Sequence, residues 1–157
     1  MPGDVGRPHL VGVSHLGVSI ADLDRSLRFY CDVLGAAVVR APYSGDSPSF
    51  SGRMAVVALG PHGLDLFEHA ANSGEQFEPA RTGLDHIGLT AESNEELQAW
   101  ASWLDAGDVR RSPIREVENV GAMFDFVDPD GIQLEFFFLD LEKVAQSAFA
   151  AGLPDRS

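Results

Sequence analysis

Hydrophobic and polar residues alternate in two matching segments, HLGVSI starting at His15 and HIGLTA starting at His86. Because successive side chains of a β-strand point to opposite faces of the sheet, the aliphatic residues of each segment share one face. The histidine, the glycine and the hydroxyl residue share the other face, which is small and polar and suits the lining of a cavity better than a core. The pattern therefore predicts two equivalent strands, each with a buried aliphatic face and a histidine on the opposite face.

An amphipathic helix is predicted after each of these strands. In the first half, apolar residues recur at helical spacing over residues 23–34, and Asp22 precedes them as a candidate N-cap. In the second half, Ser93 and Glu96 form a capping-box pattern ahead of the next apolar stripe. The interval between the histidine and the helix cap is the same in both halves, which indicates an internal duplication.

Three further strands are predicted after each helix. In the first half they are AAVVRAPY, GRMAVVALG and GLDLFEH, with the Ser-, Gly- and Pro-rich residues 44–51 predicted as a loop. In the second half they are SPIREVE, GAMFDFVD and GIQLEFFF, the last two joined by the turn sequence DPDG. Each half therefore has the order βαβββ, and the predicted fold class is α+β, with two tandem modules whose sheets form an open, cupped mixed β-barrel.

The duplication divides the chain into parts with distinct roles. We predict a loose N-terminal tail over residues 1–8, a first module over 9–70, a linker over 71–83, a second module over 84–139, and a C-terminal helix and tail over 140–157. A chain of 157 residues suits one domain or two small repeated halves that share a core.

Composition narrows the classes of partner. The chain carries 24 Asp and Glu against 11 Lys and Arg, a net charge of −13, which repels nucleic acids and anionic membrane surfaces, so neither is expected to bind. A single cysteine, Cys31, excludes an internal disulfide framework and CxxC-type zinc sites. The N-terminal residues have no apolar signal-like segment, and no run of about 18 apolar residues occurs, so we expect a cytoplasmic protein.

Two histidines and two carboxylates on the first and last strands of the modules are candidate metal ligands: His15, Glu68, His86 and Glu135. Neutral imidazole is the commonest protein ligand for metals, and hard or borderline divalent ions also take carboxylates. Glu135 is a charge within the apolar strand GIQLEFFF, where an unpaired carboxylate is costly. Glu68 shares a strand face with two leucines, and an alternative register turns Asp65 and Phe67 toward the cavity instead.

The segments VSHLGVSIADLDRSLRFYCDVLG, LDLFEH, TGLDHIGLTA and FVDPDGIQLEFF resemble the vicinal oxygen chelate superfamily, over nearly the whole chain. That superfamily includes glyoxalase I, extradiol dioxygenases, methylmalonyl-CoA epimerase, and fosfomycin and bleomycin resistance proteins. The resemblance implies paired βαβββ modules around one divalent metal ion (Zn, Ni, Co, Mn or Fe), usually in a homodimer. It also implies that the metal ligands are His15, Glu68, His86 and Glu135.

By the same resemblance, the expected activity is that of a glyoxalase-like lyase or isomerase. Its small-molecule substrate chelates the metal through two adjacent oxygens and reacts through a metal-stabilised enolate-like intermediate. Glu135 is the first candidate for the catalytic base and Glu68 the second.

Two alternatives remain open. An Fe(II) extradiol-type ring-cleaving dioxygenase needs only two histidines and one carboxylate, here His15, His86 and Glu135. A non-catalytic protein of the bleomycin-resistance type sequesters a drug, and the acidic charge of this chain suits a cationic one. Glu68 distinguishes the two enzymes, because as a ligand it favours lyase or isomerase chemistry and as a bystander it permits oxygenase chemistry.

Two positions depart from particular activities of the superfamily. Glyoxalase I commonly has an arginine that contacts glutathione four residues after the first ligand histidine, where this chain has Ser19. That argues against glutathione as a cosubstrate, although Asn72 matches a glutathione-contacting asparagine of that family. Fosfomycin-resistance enzymes have a threonine two residues after the same histidine, where this chain has Gly17, so that activity is disfavoured.

Overall fold

Over residues 9–73, the first of two compact units contains four strands and one helix. A computed structural model of the protein describes residues 9–150. The boundary between the two units lies between Ser73 and Gly74. The tail predicted over residues 1–8 lies outside the described residues. Strand β1 (His15–Ser19) leads to helix α1 (Leu23–Arg28), which continues as a π-helical turn over Phe29–Val33. The remaining strands are β2 (Ala37–Ser47), β3 (Phe50–Leu59) and β4 (His62–His69). Their order in the sheet is β1-β4-β3-β2, with β1 parallel to β4 and the other pairs antiparallel.

The second unit repeats this arrangement. Strand β5 (His86–Thr90) leads to helix α2 (Asn94–Ala106), followed by β6 (Arg115–Val117), β7 (Gly121–Val127) and β8 (Gln133–Leu139). The order is β5-β8-β7-β6, again with a parallel first pair, and helix α3 (Leu141–Ala150) follows. The predicted α+β class with tandem βαβββ modules is confirmed, and each module is an open four-stranded mixed sheet, not a closed barrel.

The prediction of a loop over residues 44–51 is wrong. Strand β2 runs to Ser47 and β3 begins at Phe50, so most of these residues pair across a hairpin whose last register pair joins Ser47 to Phe50. The Ser47 hydroxyl also contacts the Phe50 backbone N–H at 3.2 Å. Polar, small residues suit this strand end because the hairpin is exposed there and its stability comes from backbone pairing, not from burial of side chains.

Each unit has its own core between the helix and the aliphatic face of the sheet. In the first unit the fully buried side chains include Ile20, Leu23, Tyr30, Leu64 and Leu66. In the second they include Leu97, Leu104, Phe124 and Leu134. Each such side chain contributes about 1.5–3 kcal/mol relative to its exposed state, so removal of these faces from water is the main stabilisation of both units. Burial also raises the pKa of the half-buried Cys31 thiol, which is free.

Among residues 9–150, no helix is both long enough and apolar enough to cross a membrane.

Candidate metal-binding residues

The two histidine strands have the faces that their sequences predict. In β1, Val18 is buried at 4% exposure, whereas His15 and Ser19 are exposed. In β5, Ile87 is buried and His86 and Thr90 are exposed. The aliphatic face of each strand therefore packs into the core of its unit, and each histidine lies on the opposite face.

In the second unit, Glu135 lies on the same sheet face as His86. Parallel pairing of β5 with β8 places Glu135 opposite Gly88, and paired residues of a sheet point to the same side. The Glu135 Oε1 atom lies 3.6 Å from His86 Nε2, with only 15% of the Glu135 side chain exposed. A Cβ atom at Gly88 would lie 3.3 Å from that oxygen, so the glycine provides the space that the carboxylate occupies. The structure thus brings together these two predicted ligands.

A second carboxylate stands beside Glu135. Asp125 of β7 is the register partner of Glu135 in β8, and Arg115 pairs with Asp125 through both of its terminal guanidinium nitrogens. The Arg115 hydrogen bond lowers the pKa of the Asp125 carboxyl, and a Ser112 hydrogen bond acts in the same direction. Sequence reasoning missed Asp125, although the signal was the one that marked Glu135: a charge alternating with buried aromatic residues in a strand.

The residue before each histidine contacts that histidine's ring. Asp85 Oδ1 lies 2.7 Å from His86 Nδ1, and Ser14 Oγ lies 2.9 Å from His15 Nδ1. The Asp85 hydrogen bond, with the nearby Glu135 charge, raises the pKa of His86. Both histidines therefore have Nδ1 engaged by a neighbour, and Nε2 is the nitrogen that faces the sheet carboxylate in the second unit.

In the first unit, the structure does not bring Glu68 to His15. Strand β4 carries Glu68 on the same face as the buried Leu64 and Leu66, which is the face that packs against α1. The Glu68 Oε2 atom accepts a hydrogen bond from the Leu23 backbone N–H at 3.1 Å and another from Arg53 at 3.2 Å. A carboxylate at the first turn of a helix satisfies an unpaired N–H and favours the helix dipole. The contacts of Glu68 therefore explain its half-buried position without a metal.

Asp65 occupies the position in the first unit that corresponds to Glu135. Its register partner in β1 is Gly17, just as Gly88 is the partner of Glu135. The observed register is thus the alternative in which Asp65 and Phe67 share the face of His15. The Phe67 ring also covers Gly17, because a Cβ atom there would lie 3.2 Å from it. Each unit accordingly presents one histidine and, on the strand paired parallel to it, one carboxylate on the same face.

The other histidines and Asn72 have local roles. His69 stacks on Phe67 with ring centroids 5.7 Å apart, and His62 begins β4 in an exposed position. The Asn72 side-chain amide donates a hydrogen bond to the Ile20 carbonyl at 3.4 Å. Over residues 9–150, no group of three or more His, Cys, Asp or Glu side chains is close enough together to hold a metal ion.

Comparisons with known proteins agree on one family. The family model described as "Glyoxalase/Bleomycin resistance protein/Dioxygenase superfamily" matches residues 12–136. The chain is 30% identical over 143 residues to Glyoxylase I 4 of Arabidopsis thaliana, and the aligned region covers 86% of this chain and 75% of that protein. It is 29% identical over 124 residues to a probable lactoylglutathione lyase of Synechocystis, with coverage of 77% and 90%. A solved glyoxylase/bleomycin resistance protein/dioxygenase domain from Frankia matches with a TM-score of 0.75 at 28% identity, covering 84% of this chain and 100% of that domain.

Proposed function

Because the chain belongs to the glyoxalase/bleomycin resistance protein/dioxygenase superfamily, we propose that it is a metal-dependent lyase or isomerase of the glyoxalase type. Family membership confirms the resemblance to the vicinal oxygen chelate superfamily. The observation that carries the proposal is the repeated placement of one histidine and one carboxylate on the same face of each module, opposite the face that forms the core. None of these four side chains belongs to the buried core of its unit, so packing of the core does not account for either pair.

The proposed ligand set is His15 and Asp65 from the first module, with His86 and Glu135 from the second. These donors are two imidazoles and two carboxylates, a set that suits Zn, Ni, Co, Mn or Fe as divalent ions. The close approach of His86 Nε2 to a mostly buried Glu135 oxygen supports the fit, since a carboxylate and a neutral imidazole so placed present two lone pairs to one cation. Asp65 replaces Glu68 in this set, because Glu68 is held at α1.

The residues of the chain then have defined tasks in the proposed reaction. A bound metal would supply electrophilic stabilisation of the oxyanion that develops on a substrate with two adjacent oxygens. An oxygen of Glu135 takes the proton from the carbon next to the substrate carbonyl and returns it to the neighbouring carbon or oxygen. Arg115 is hydrogen-bonded to Asp125, which is the register partner of Glu135. The positive charge of Arg115 therefore offsets repulsion between the adjacent Asp125 and Glu135 carboxylates. Glu68, the second candidate base, has a role at the helix terminus instead.

In the first test, the purified protein is treated with chelator and then titrated with Co²⁺, and binding is measured by calorimetry. We expect the wild type to bind Co²⁺, and His86→Ala and Glu135→Gln to weaken binding by more than tenfold. The metal-loaded protein is then incubated in D₂O with small 2-oxoaldehyde hemithioacetals and 2-hydroxyketones, and proton exchange is followed by NMR. Metal-dependent exchange that Glu135→Gln abolishes supports the proposal, whereas a wild type that binds no Co²⁺, Ni²⁺, Zn²⁺, Mn²⁺ or Fe²⁺ contradicts it.

A second candidate function is favoured by the position of Glu68. With Glu68 at α1, the remaining predicted ligands are His15, His86 and Glu135, the set that Fe(II) ring-cleaving dioxygenases use. Fe²⁺-loaded protein that consumes O₂ with a catechol identifies this activity. Asp65→Ala separates the candidates, because it removes a ligand from the four-donor set and leaves the three-donor set intact. Tight binding of a cationic drug without any metal would instead indicate the non-catalytic binding protein.

We further propose that the protein acts as a homodimer on a small-molecule substrate. Dimerisation is common among the proteins that the sequence resembles, and native mass spectrometry of the metal-loaded protein measures both the subunit number and the metal content. A mixture of His15→Ala and His86→Ala proteins tests whether ligands come from two chains. If they do, mixed dimers regain one intact metal site per dimer.

A further inference from the structure

Each candidate histidine ligand has its Nδ1 nitrogen against the side chain of the preceding residue, but the two preceding residues differ chemically. Asp85 Oδ1 is 2.7 Å from His86 Nδ1, and Ser14 Oγ is 2.9 Å from His15 Nδ1. A carboxylate and a hydroxyl have different hydrogen-bonding capacities. The duplicated contact therefore imposes different constraints on the two imidazole rings.

An ionised carboxylate only accepts hydrogen bonds. Asp85 therefore requires the proton of a neutral His86 ring to be on Nδ1, which leaves the lone pair on Nε2. That nitrogen is the one 3.6 Å from Glu135 Oε1, on the face proposed to hold the metal. A histidine side chain free in water prefers the other tautomer, with its proton on Nε2, so the Asp85 contact reverses the intrinsic preference.

The Ser14 contact does not fix the tautomer of His15. A hydroxyl donates to an unprotonated Nδ1 as readily as it accepts from a protonated one, so both tautomers of His15 keep the contact. His15 therefore enters the proposed site without a set tautomer, and His86 enters it with one.

We propose that Asp85 is a positioning residue that holds His86 in the tautomer and ring orientation in which Nε2 is free to bind a divalent metal. Carboxylate partners on the outer nitrogen of a ligand histidine act in this way at metal sites generally, and their loss typically costs metal affinity. The metal-binding part of this inference rests on the proposed function. The part that concerns the tautomer does not, because it follows from the hydrogen bond between Asp85 and His86.

The tautomer is tested on the metal-free protein by two-bond ¹H–¹⁵N NMR correlation of the histidine rings, at a pH well above the imidazole pKa and with chelator present. We expect His86 of the wild type to show a protonated Nδ1 and an unprotonated Nε2. In Asp85→Ala we expect this pattern to shift toward protonated Nε2, while Ser14→Ala leaves His86 unchanged. A His86 ring pattern that is the same in Asp85→Ala and in the wild type overturns the proposal.

The consequence for the metal is tested by Co²⁺ calorimetry on the same proteins. Asp85→Ala is expected to weaken Co²⁺ binding by about 10- to 100-fold. Asp85→Asn removes the same charge but retains an oxygen acceptor, so it is expected to recover part of the lost affinity, whereas loss of charge alone would affect both variants equally. Asp85 is largely exposed, so both variants are expected to unfold at the wild-type urea concentration.

These measurements separate the two proposals. A wild type that binds no Co²⁺ contradicts the proposed function, and the NMR pattern still decides whether Asp85 sets the tautomer. Normal Co²⁺ binding by Asp85→Ala together with an unaltered ring pattern contradicts the role of Asp85 and leaves the proposed function standing.

Discussion

At the scale of single residues, the two carboxylates of β4 illustrate how a shift along a strand changes a side chain's role. Asp65 lies on the His15 face opposite Gly17, and Glu68 lies on the opposite face, bonded to Leu23 and Arg53. Both are half-buried in the same strand, and their difference is the face on which alternation places them. The proposed ligand role therefore follows the face of the strand and not the greater reach of the longer side chain.

Substitution of these two carboxylates gives opposite results under the proposed ligand set. Asp65→Asn is expected to weaken Co²⁺ binding by more than tenfold, with little change in the free energy of unfolding. Glu68→Gln is expected to leave Co²⁺ binding unchanged and to lower the free energy of unfolding by about 1 kcal/mol, because a charge-assisted contact with the α1 terminus is lost. Calorimetry and urea unfolding measure both quantities, and the reverse pattern would restore Glu68 as the ligand.

At the scale of the elements, each helix starts at a side chain that the sequence identifies. Asp22 Oδ1 accepts a hydrogen bond from the Arg25 backbone N–H at 2.9 Å, and Ser93 Oγ accepts one from Glu96 N–H at 3.1 Å. Such caps satisfy N–H groups that have no partner within the helix. The cap predictions for both helices are confirmed, because they depend on interactions within one turn of chain.

Removal of the α2 cap has a predictable cost. Ser93→Ala is expected to lower the free energy of unfolding by about 1 kcal/mol, measured by urea unfolding. Ser102→Ala in the same helix is the matched control. The Ser102 hydroxyl bonds the Gln98 carbonyl and caps no N–H, so alanine there changes stability by less than about 0.5 kcal/mol or increases it. Equal losses in the two variants would mean that the cap has no special role.

At the scale of the whole molecule, two units are each built around their own core. Leu66 is paired with Val18 and Ala55, all in the first unit. Leu134 is paired with Ile87 and Phe126, all in the second. The paired residues of each core thus belong to one repeat, which is what duplication of a module that already had a core would produce.

Truncation of a core side chain is expected to destabilise its own unit more than the other unit. Leu66→Ala and Leu134→Ala each remove a fully buried side chain, at an expected cost of about 2–5 kcal/mol. Hydrogen exchange with mass spectrometry is expected to show the greatest loss of protection in β1–β4 for the first variant and in β5–β8 for the second. A uniform loss over both units in either variant would show that they unfold as one.

The sequence predicts most of the fold and part of the site. Face alternation around His15 and His86, the helix caps and the charge of Glu135 within apolar residues all act over a few neighbouring residues, and each identified its element or face correctly. The strand register did not follow from such signals, because pairing of β1 with β4 joins residues almost 50 positions apart. That register places Asp65, and not Glu68, on the sheet face of His15. The paired hairpin end at Ser47 and Phe50 was also missed, since its composition resembles a loop.

Gly88 makes the second module sensitive to a single added carbon. Alanine there would place its methyl group 3.3 Å from the Glu135 carboxylate oxygen, so the carboxylate would have to shift by a few tenths of an ångström while the backbone and the core stayed unchanged. Every donor atom would remain in the chain, yet their spacing would differ. Activities within a duplicated scaffold can therefore diverge through one methyl group beside a proposed ligand, while all the proposed ligands stay the same. An alignment of those residues alone would not reveal the change.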